Sequence, residues 1–188
     1  MHNSRTIITL VTEMDHNIRP MEQKDLDKVR HWRNHPEIRK YMFSKNEILP
    51  EEHQKWFERT TQSKLKTLLI YTHRNQPMGF VQFSSNKSKN SFADWGFYTA
   101  PLAPKGTGTK MATLALDFAF EQLKAHKVFG EVLDYNTGSI KFHLKIGFIQ
   151  EGVLRDHHYD ENGYSSVYCF GLMHHEWIKK RNELPKHQ

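Results

Sequence analysis

The segment "WGFYTAPLAPKGTGTKMATLALDFAF", residues 95–120, decides the fold class. It opens with aromatic and β-branched residues, which are typical of a β-strand, and Pro101 ends that strand. A helix begins near Gly108, and its apolar residues recur at the spacing of one helix face. That face is marked by Met111, Leu114, Ala115 and Phe118. The segment therefore predicts a strand, a glycine-containing turn and a long amphipathic helix.

The turn itself is the run Lys105-Gly106-Thr107-Gly108-Thr109. Glycines let successive backbone N–H groups point into one concavity, and a helix N-terminus adds unpaired donors and the positive end of a dipole. Such a turn can bind phosphate, or it can be an ordinary helix cap, and the turn alone leaves both interpretations open. It is neither a Walker loop, since the G-K-[ST] spacing is absent, nor a dinucleotide fingerprint, since the third glycine is missing.

Outward from this segment, the patterns predict the element order β-α-α-β-β-β-α-β-α-β-β-α. The first strand is "HNIRP", and the run "NHP" stops the first helix because a residue before proline is disfavoured in the helical region. The dipeptides of "DENG" predict a hairpin between the last two strands. The expected fold is a mixed α/β sheet, mostly antiparallel, flanked by helices, in one domain spanning residues 1–188.

The composition sets limits on function. The chain has 188 residues, a formal net charge of +6 and one cysteine, Cys169. No disulfide can form within the chain, which suits a reducing compartment, and no apolar run is long enough to cross a bilayer. We expect a cytoplasmic protein whose basic surface attracts nucleic acid or a polyanionic small molecule. The thirteen histidines lack the spacing of a known metal motif, so no metal is expected.

A second motif follows the next predicted strand, in "NTGSIKFHLKIGF", residues 136–148. Together the two motifs resemble the Gcn5-related N-acetyltransferase (GNAT) superfamily, over roughly residues 17 to 180. The loop signature Q/R-x-x-G-x-G/A is matched by residues 103–108, with Ala103 at its first position. The second signature is matched by Asn136, Ser139, Phe142, Lys145, Gly147 and Phe148, and His143 stands where the family has tyrosine.

The resemblance implies acetyl-CoA as co-substrate. Its pyrophosphate would lie on the amides of Lys105, Gly106, Thr107, Gly108, Thr109 and Lys110. Its pantetheine arm would pair with Phe97, Tyr98 and Thr99 on a strand that splays from the next one, near Asn136 and Ser139. A backbone N–H of residues 96–98 would hold the oxyanion. His143 and Asn136 are the expected catalytic residues. His143 would protonate the leaving thiolate, with a packing or cofactor-bonding role as the alternative.

The first third of the chain, with "RHWRNHPEIRKYMFS" and "EEHQKWFER", resembles N-acetyltransferases of nucleotide-linked 4-amino sugars in pseudaminic acid biosynthesis, a pathway that feeds flagellin glycosylation. Their acceptor is UDP-4-amino-4,6-dideoxy-N-acetyl-β-L-altrosamine. The resemblance implies acceptor contacts from Arg33, His53, Ser84, Ser85 and Tyr98. Taken alone, Arg33 reads as a surface cation and His53 as a half-buried helix residue.

Other acceptors stay open at this point. The same region resembles, less closely, the ribosomal-protein N-terminal acetyltransferases, and another small amine is a further alternative. A basic RNA-associated protein is the remote alternative, although the sequence has no aromatic RNA-binding signature. The expected partners are acetyl-CoA and a UDP-amino sugar, without nucleic acid or membrane, and a homodimer is left open. Asp94 and Glu131 are the carboxylates near the expected site, and Cys169 is expected to be an inert buried thiol.

Overall fold

The computed structural model describes residues 15–85 and 92–184. Seven strands in this part form one sheet in the order β1-β2-β3-β4-β5-β7-β6. The strands are β1 (His16–Pro20), β2 (Lys66–His73), β3 (Gln76–Ser85), β4 (Phe92–Thr99), β5 (Lys127–Leu133), β6 (Ile149–Asp160) and β7 (Gly163–Met173). The helices are α1 (Leu26–Asn34), α2 (Pro36–Arg39), α3 (Pro50–Thr61), α4 (Thr107–Glu121), α5 (Thr137–Lys145) and α6 (His174–Glu183), with a 3-10 turn at Gln23–Asp25.

The predicted element order is confirmed, with two short additions, the 3-10 turn before α1 and the helix α2. The run "NHP" does end α1, but Pro36 then opens the single-turn helix α2, because its fixed φ suits the first helical position. The run "SNKSKN", whose polar residues predict a turn, falls largely on residues 86–91, which lie outside the described residues, as do residues 1–14. Among the helices that the structure describes, none is long and apolar enough to span a membrane.

The sheet has one parallel junction, between β4 and β5, and every other strand pair is antiparallel. This junction has only three residue pairs, from Phe92–Lys127 to Asp94–Phe129. Beyond Asp94 the two strands separate, so the second half of β4 has a paired edge toward β3 and an open edge toward β5. The expected splay is therefore confirmed, and it leaves backbone polar groups for another partner.

Hydrophobic cores lie on both faces of the sheet. Helix α4 covers one face with a stripe of buried residues, since side chains three to four residues apart share a helix face. That stripe includes Met111, Ala112, Ala115, Leu116, Ala119 and Phe120. Helices α1 and α3 cover the other face of β2 and β3, where Val29, Trp32 and Phe57 pack on Ile70 and Phe80. The splayed half of β4 lies between these two layers.

Candidate active site

A continuous cleft occupies the gap between the splayed strands. One cavity of about 390 Å³ lies between β4 and β5, and a second of about 410 Å³ lies between β4 and α3. A third, of about 280 Å³, extends toward the start of α4 and α5. Met42 and Phe97 line all three, so the cavities form one cleft with an end at α4 and an end at α3.

The α4 end of the cleft begins at the glycine turn. Gly106 has φ +90°, a left-handed conformation that side chains rarely adopt, and this lets the chain turn directly into α4. The N–H groups of Thr107 and Lys110 already donate to Pro104 and Gly106 carbonyls. Those of Gly108 and Thr109 make no backbone hydrogen bond with the described residues. Two of the six amides expected to bind phosphate, those of Thr107 and Lys110, are therefore already satisfied by backbone carbonyls.

Asn136 forms the start of α5 beside the open edge of β4. Its side-chain oxygen accepts a hydrogen bond of 3.1 Å from the Ser139 N–H and so caps the helix. Its NH₂ group is not needed for this cap. Both residues line the cavities on either side of Phe97. The structure thus brings Asn136 and Ser139 to the strand segment 97–99, as the sequence predicts.

His143 is buried, with 2% of its surface exposed, and both ring nitrogens have partners. The indole Nε1–H of Trp95 donates to His143 Nε2 at 3.2 Å, and His143 Nδ1 lies 2.8 Å from the Ser139 carbonyl oxygen. An indole N–H can only donate and a carbonyl can only accept. This network therefore requires the neutral imidazole with its proton on Nδ1.

The expected role of His143 as general acid does not fit this geometry. Its one proton is directed at the Ser139 carbonyl, and the other ring nitrogen, Nε2, accepts a hydrogen bond rather than donating one. Burial lowers its pKa to about 4, against a smaller opposing effect of the bond to Ser139, so the imidazolium is not available near neutral pH. The aromatic rings of Phe97, Phe148 and Phe170 complete its surroundings. The structure supports the packing alternative.

The α3 end of the cleft brings together Arg33, His53 and Tyr98, three of the predicted acceptor contacts. They reach it from α1, α3 and β4, respectively. The His53 ring stacks on Trp56 with centroids 4.8 Å apart, and Trp56 meets Phe80 edge to face at 6.2 Å. Burial, with a smaller effect of Arg30, lowers the pKa of His53 to about 4, so this ring is neutral. Burial likewise raises the pKa of Tyr98, whose hydroxyl stays protonated.

Arg33 is the cation of this pocket. Its Nη2 donates to the Ser44 carbonyl at 2.7 Å, but its buried Nη1 has no hydrogen-bond partner among the described residues. Burial lowers the pKa of the guanidinium, although an arginine keeps its charge at any physiological pH. A buried, charged donor without a partner is costly, and Nη1 itself is shielded from solvent, so the positive charge of Arg33 rather than a free N–H is what the pocket offers.

Ser84 and Ser85 are not brought together, and this corrects the prediction of a serine pair. Successive side chains of a strand point to opposite faces of the sheet. Ser84 lines the cleft beside Asp94, where Lys66 Nζ donates to its hydroxyl at 2.5 Å. Ser85 pairs with Ala93 on the opposite face and lines none of the three cavities. The sequence signal was available, because alternation alone separates the two residues.

Two carboxylates line the floor of the cleft, Asp94 on β4 and Glu131 on β5. Asp94 is on the same face of β4 as Gly96 and Tyr98, and burial raises its pKa. Cys169, opposite Glu131 in the sheet, is buried, and burial raises the pKa of its thiol. Within the described ranges no three histidine, cysteine or acidic side chains gather as metal ligands would.

The segment between α2 and α3 was missed as a functional element. Tyr41, Met42 and Phe43 line the central cavity together with β4 and β5. The sequence showed this run only as part of a resemblance, since an irregular segment has no periodicity that could place its side chains. Trp56 and Phe80 were also missed, because an aromatic residue on an apolar face usually belongs to a core.

A sheet that splays beside a glycine turn and a capped helix is the architecture of an acyl-CoA-type acetyltransferase. The acetyltransferase (GNAT) domain family matches residues 16–149 of this sequence. The chain belongs to the GNAT family and is an N-acetyltransferase.

Several curated relatives of this chain are acetyltransferases. An uncharacterized N-acetyltransferase of Bacillus subtilis, YokL, is 28% identical over 66% of this chain and 71% of its own length. The acetyltransferase PseH of Campylobacter jejuni is 26% identical over 70% of this chain and 82% of its own. The spermidine N(1)-acetyltransferase of Escherichia coli is 22% identical over 86% and 87%.

Solved structures agree with the fold. A spermidine N-acetyltransferase of Vibrio cholerae, determined with CoA and spermine, superposes with a TM-score of 0.82 at 19% identity. The match covers 87% of this chain and 98% of that one. At this level of identity, the likeness establishes the fold and leaves the acceptor to be argued from the cleft.

Proposed function

We propose that this protein transfers the acetyl group of acetyl-CoA to the amino group of a sugar linked to a nucleoside diphosphate, with the UDP-4-amino sugar of pseudaminic acid biosynthesis as the specific candidate. The positive charge of Arg33, in a pocket lined largely by aromatic rings, is the observation that carries this proposal. A nucleoside diphosphate offers both a flat base and a charged phosphate acceptor.

The cofactor occupies the α4 end of the cleft. An extended arm that carries amides can satisfy the open edge of β4 at Phe97, Tyr98 and Thr99, as an added strand would. The free amides of Gly108 and Thr109 suit the pyrophosphate at the helix N-terminus. Asn136, whose NH₂ group is not used in the helix cap, lines the same part of the cleft and can donate to the cofactor.

The acceptor occupies the α3 end. Trp56, which packs on the buried rings of His53 and Phe80, is partly exposed and gives an aromatic surface on which a nucleobase can stack. Arg33 can form charge-assisted hydrogen bonds with a phosphate, which a lysine could match only as a point charge. No carboxylate among the described residues pairs with Arg33.

The chemistry takes place where the two ends meet, near Gly96. The neutral amine attacks the thioester carbonyl, and a backbone N–H of residues 96–98 stabilises the oxyanion. Asp94 and Glu131 line the central cavity and can accept the proton of the incoming ammonium through water. The C–S bond then breaks, the nitrogen that has formed the amide loses its remaining extra proton to water, and the thiolate takes up a proton from water in the cleft, because the one proton of His143 is held by the Ser139 carbonyl.

Polyamine acetylation is the second candidate. Spermidine acetyltransferases are among the relatives and the structural neighbours, and Asp94 and Glu131 give the cleft floor a negative charge that suits a polyamine. The position of Arg33 weighs against it, since an unpaired guanidinium repels a polycation.

The experiment begins with the thermal stability of the protein with and without acetyl-CoA. Thiol release is then followed with a UDP-4-amino sugar, the free amino sugar, spermidine and an alanine N-terminal peptide. We expect the nucleotide sugar to react best and UDP alone to inhibit competitively.

Arg33→Met should raise KM for the nucleotide sugar by about 10- to 100-fold, the equivalent of one lost charged hydrogen bond. Arg59→Met, an exposed arginine on α3, is the matched control. Efficient acetylation of spermidine with no inhibition by UDP would overturn the proposal.

A further inference from the structure

Residues 40–49, which we call the strap, join α2 to α3 without regular structure and pass over the cleft. Tyr41, Met42 and Phe43 in the strap line the central cavity opposite the splayed parts of β4 and β5. The strap therefore forms the outer wall of the place where the thioester would lie.

The strap is fixed to the end of α1 at two of its residues, Ser44 and Ile48. Asn34 makes two hydrogen bonds of 2.9 Å with the backbone N–H and carbonyl of Ile48. Arg33 donates to the Ser44 carbonyl at 2.7 Å. The sequence element "RNHP" thus has a local explanation, because its first two residues hold the strap and its last two begin α2.

The middle of the strap is fixed to the opposite side of the cleft. Lys45 Nζ lies 2.5 Å from Asp160 Oδ2 at the end of β6, and only 23% and 12% of these side chains are exposed. Lys45 Nζ also lies 5.1 Å from the centroid of the Tyr135 ring. Phe43 meets the His158 ring edge to face at 5.3 Å. These contacts tie the strap to the second half of the sheet.

Tyr135 links this attachment to the cofactor end of the cleft. It directly precedes Asn136, the residue that caps α5 and lines two of the cavities. The Tyr135 ring also stacks with Tyr41 of the strap, with centroids 6.3 Å apart. A change at Lys45 therefore reaches both the outer wall of the cleft and the turn that presents Asn136.

We propose that Lys45 is a positioning residue for acetyl transfer, which by its bond to Asp160 holds the strap closed over the thioester and excludes water from it. This rests on the proposed binding of acetyl-CoA in the cleft, but not on the identity of the acceptor. When the strap is loose, water can attack the thioester carbonyl, the C–S bond breaks, and acetate and CoA thiol form, with one proton of water passing to the thiolate and the other to solvent.

The test measures thiol release from acetyl-CoA without an acceptor, so it does not depend on which amine is acetylated. Binding of acetyl-CoA to the wild type is first established by thermal shift, and a lack of binding would refute the proposed function instead. Lys45→Met and Asp160→Asn should each raise acceptor-independent thiol release about tenfold. The double variant should be no faster than either single one, because both remove the same contact.

Two variants distinguish a positioning role from a general loss of stability. Lys45→Arg keeps the charge and the reach to Asp160 and should restore the wild-type rate of hydrolysis. Lys24→Met removes a lysine from an exposed pair with Glu22, at 2.6 Å, and should change nothing. Wild-type hydrolysis in Lys45→Met, or additive effects in the double variant, would overturn the proposal. The same holds if Lys45→Arg behaves like Lys45→Met.

Discussion

The buried, neutral His143 predicts that the stability of this protein falls in mildly acidic solution. The ordinary pKa of histidine is 6.5, and burial lowers that of His143 to about 4. Between these values the unfolded chain binds a proton that the folded protein refuses, so unfolding becomes easier as the pH falls through this window. Below about pH 4 both states are protonated and the loss is complete.

The magnitude follows from the gap between the two pKa values. A gap of roughly 2.5, at about 1.36 kcal/mol per pKa unit, gives a loss of about 3 kcal/mol of unfolding free energy between pH 7 and pH 4. This is a large part of the roughly 5–15 kcal/mol that stabilises a typical domain. His53 titrates in the same window, so wild-type data alone cannot separate the two residues.

The comparison of wild type with His143→Gln isolates His143, because His53 contributes equally to both proteins. Urea unfolding at several pH values from 7.5 to 4.5 gives the free energy of each. His143→Gln should be less stable at pH 7, since its amide replaces the two hydrogen bonds imperfectly. The difference between the proteins should then shrink by about 2–3 kcal/mol as the pH falls.

Parallel stability curves for the two proteins would refute this reasoning, because they would mean that His143 does not resist protonation. A kinetic comparison tests whether His143 acts as the general acid. If His143→Ala and His143→Tyr keep the wild-type kcat when corrected for folded protein, His143 is not the general acid. A large loss of kcat in the alanine variant that tyrosine restores would reinstate that role.

The remaining predictions concern the end of the chain and the glycine turn. Asp117→Ala should lower the unfolding free energy by about 1–3 kcal/mol in urea titration, because Asp117 accepts hydrogen bonds from Trp177 and Arg181 and so fixes α6 to α4. Removal of the carboxylate of an exposed pair, Glu183→Ala, should cost less than about 0.5 kcal/mol. Gly106→Ala should raise KM for acetyl-CoA several-fold, because φ +90° strains any side chain by about 1–2 kcal/mol. Gly152→Ala, where a Cβ would meet nothing within 4 Å, should leave KM unchanged.

The sequence predicted the elements of this fold well, because their signals are local. The glycine turn and the stripe of α4, the cap at Asn136 and the "DENG" hairpin each depend on residues close together in the chain. The splay of β4 was expected only through the resemblance to a family. No local pattern shows where two parallel strands stop pairing.

The site was harder to predict, because its chemistry depends on contacts distant in sequence. The protonation state of His143 is set by Trp95, 48 residues away, and no spacing rule joins the two. The strap is held by Lys45 and Asp160, which are 115 residues apart. The sequence alone does not show which face of the sheet Asp94 and Glu131 occupy. The register of β4, β5 and β7 places both side chains at the central cavity.

The short β4–β5 junction divides the sheet into two halves that are joined by three residue pairs. A ligand arm that pairs with the open edge of β4 would serve as a strand that the chain itself does not supply. Stability and cofactor supply would then be linked, since a ligand at 100 times its Kd adds about 2.7 kcal/mol to the free energy of unfolding. In a cell, the amount of folded enzyme would in this way follow the concentration of its own co-substrate.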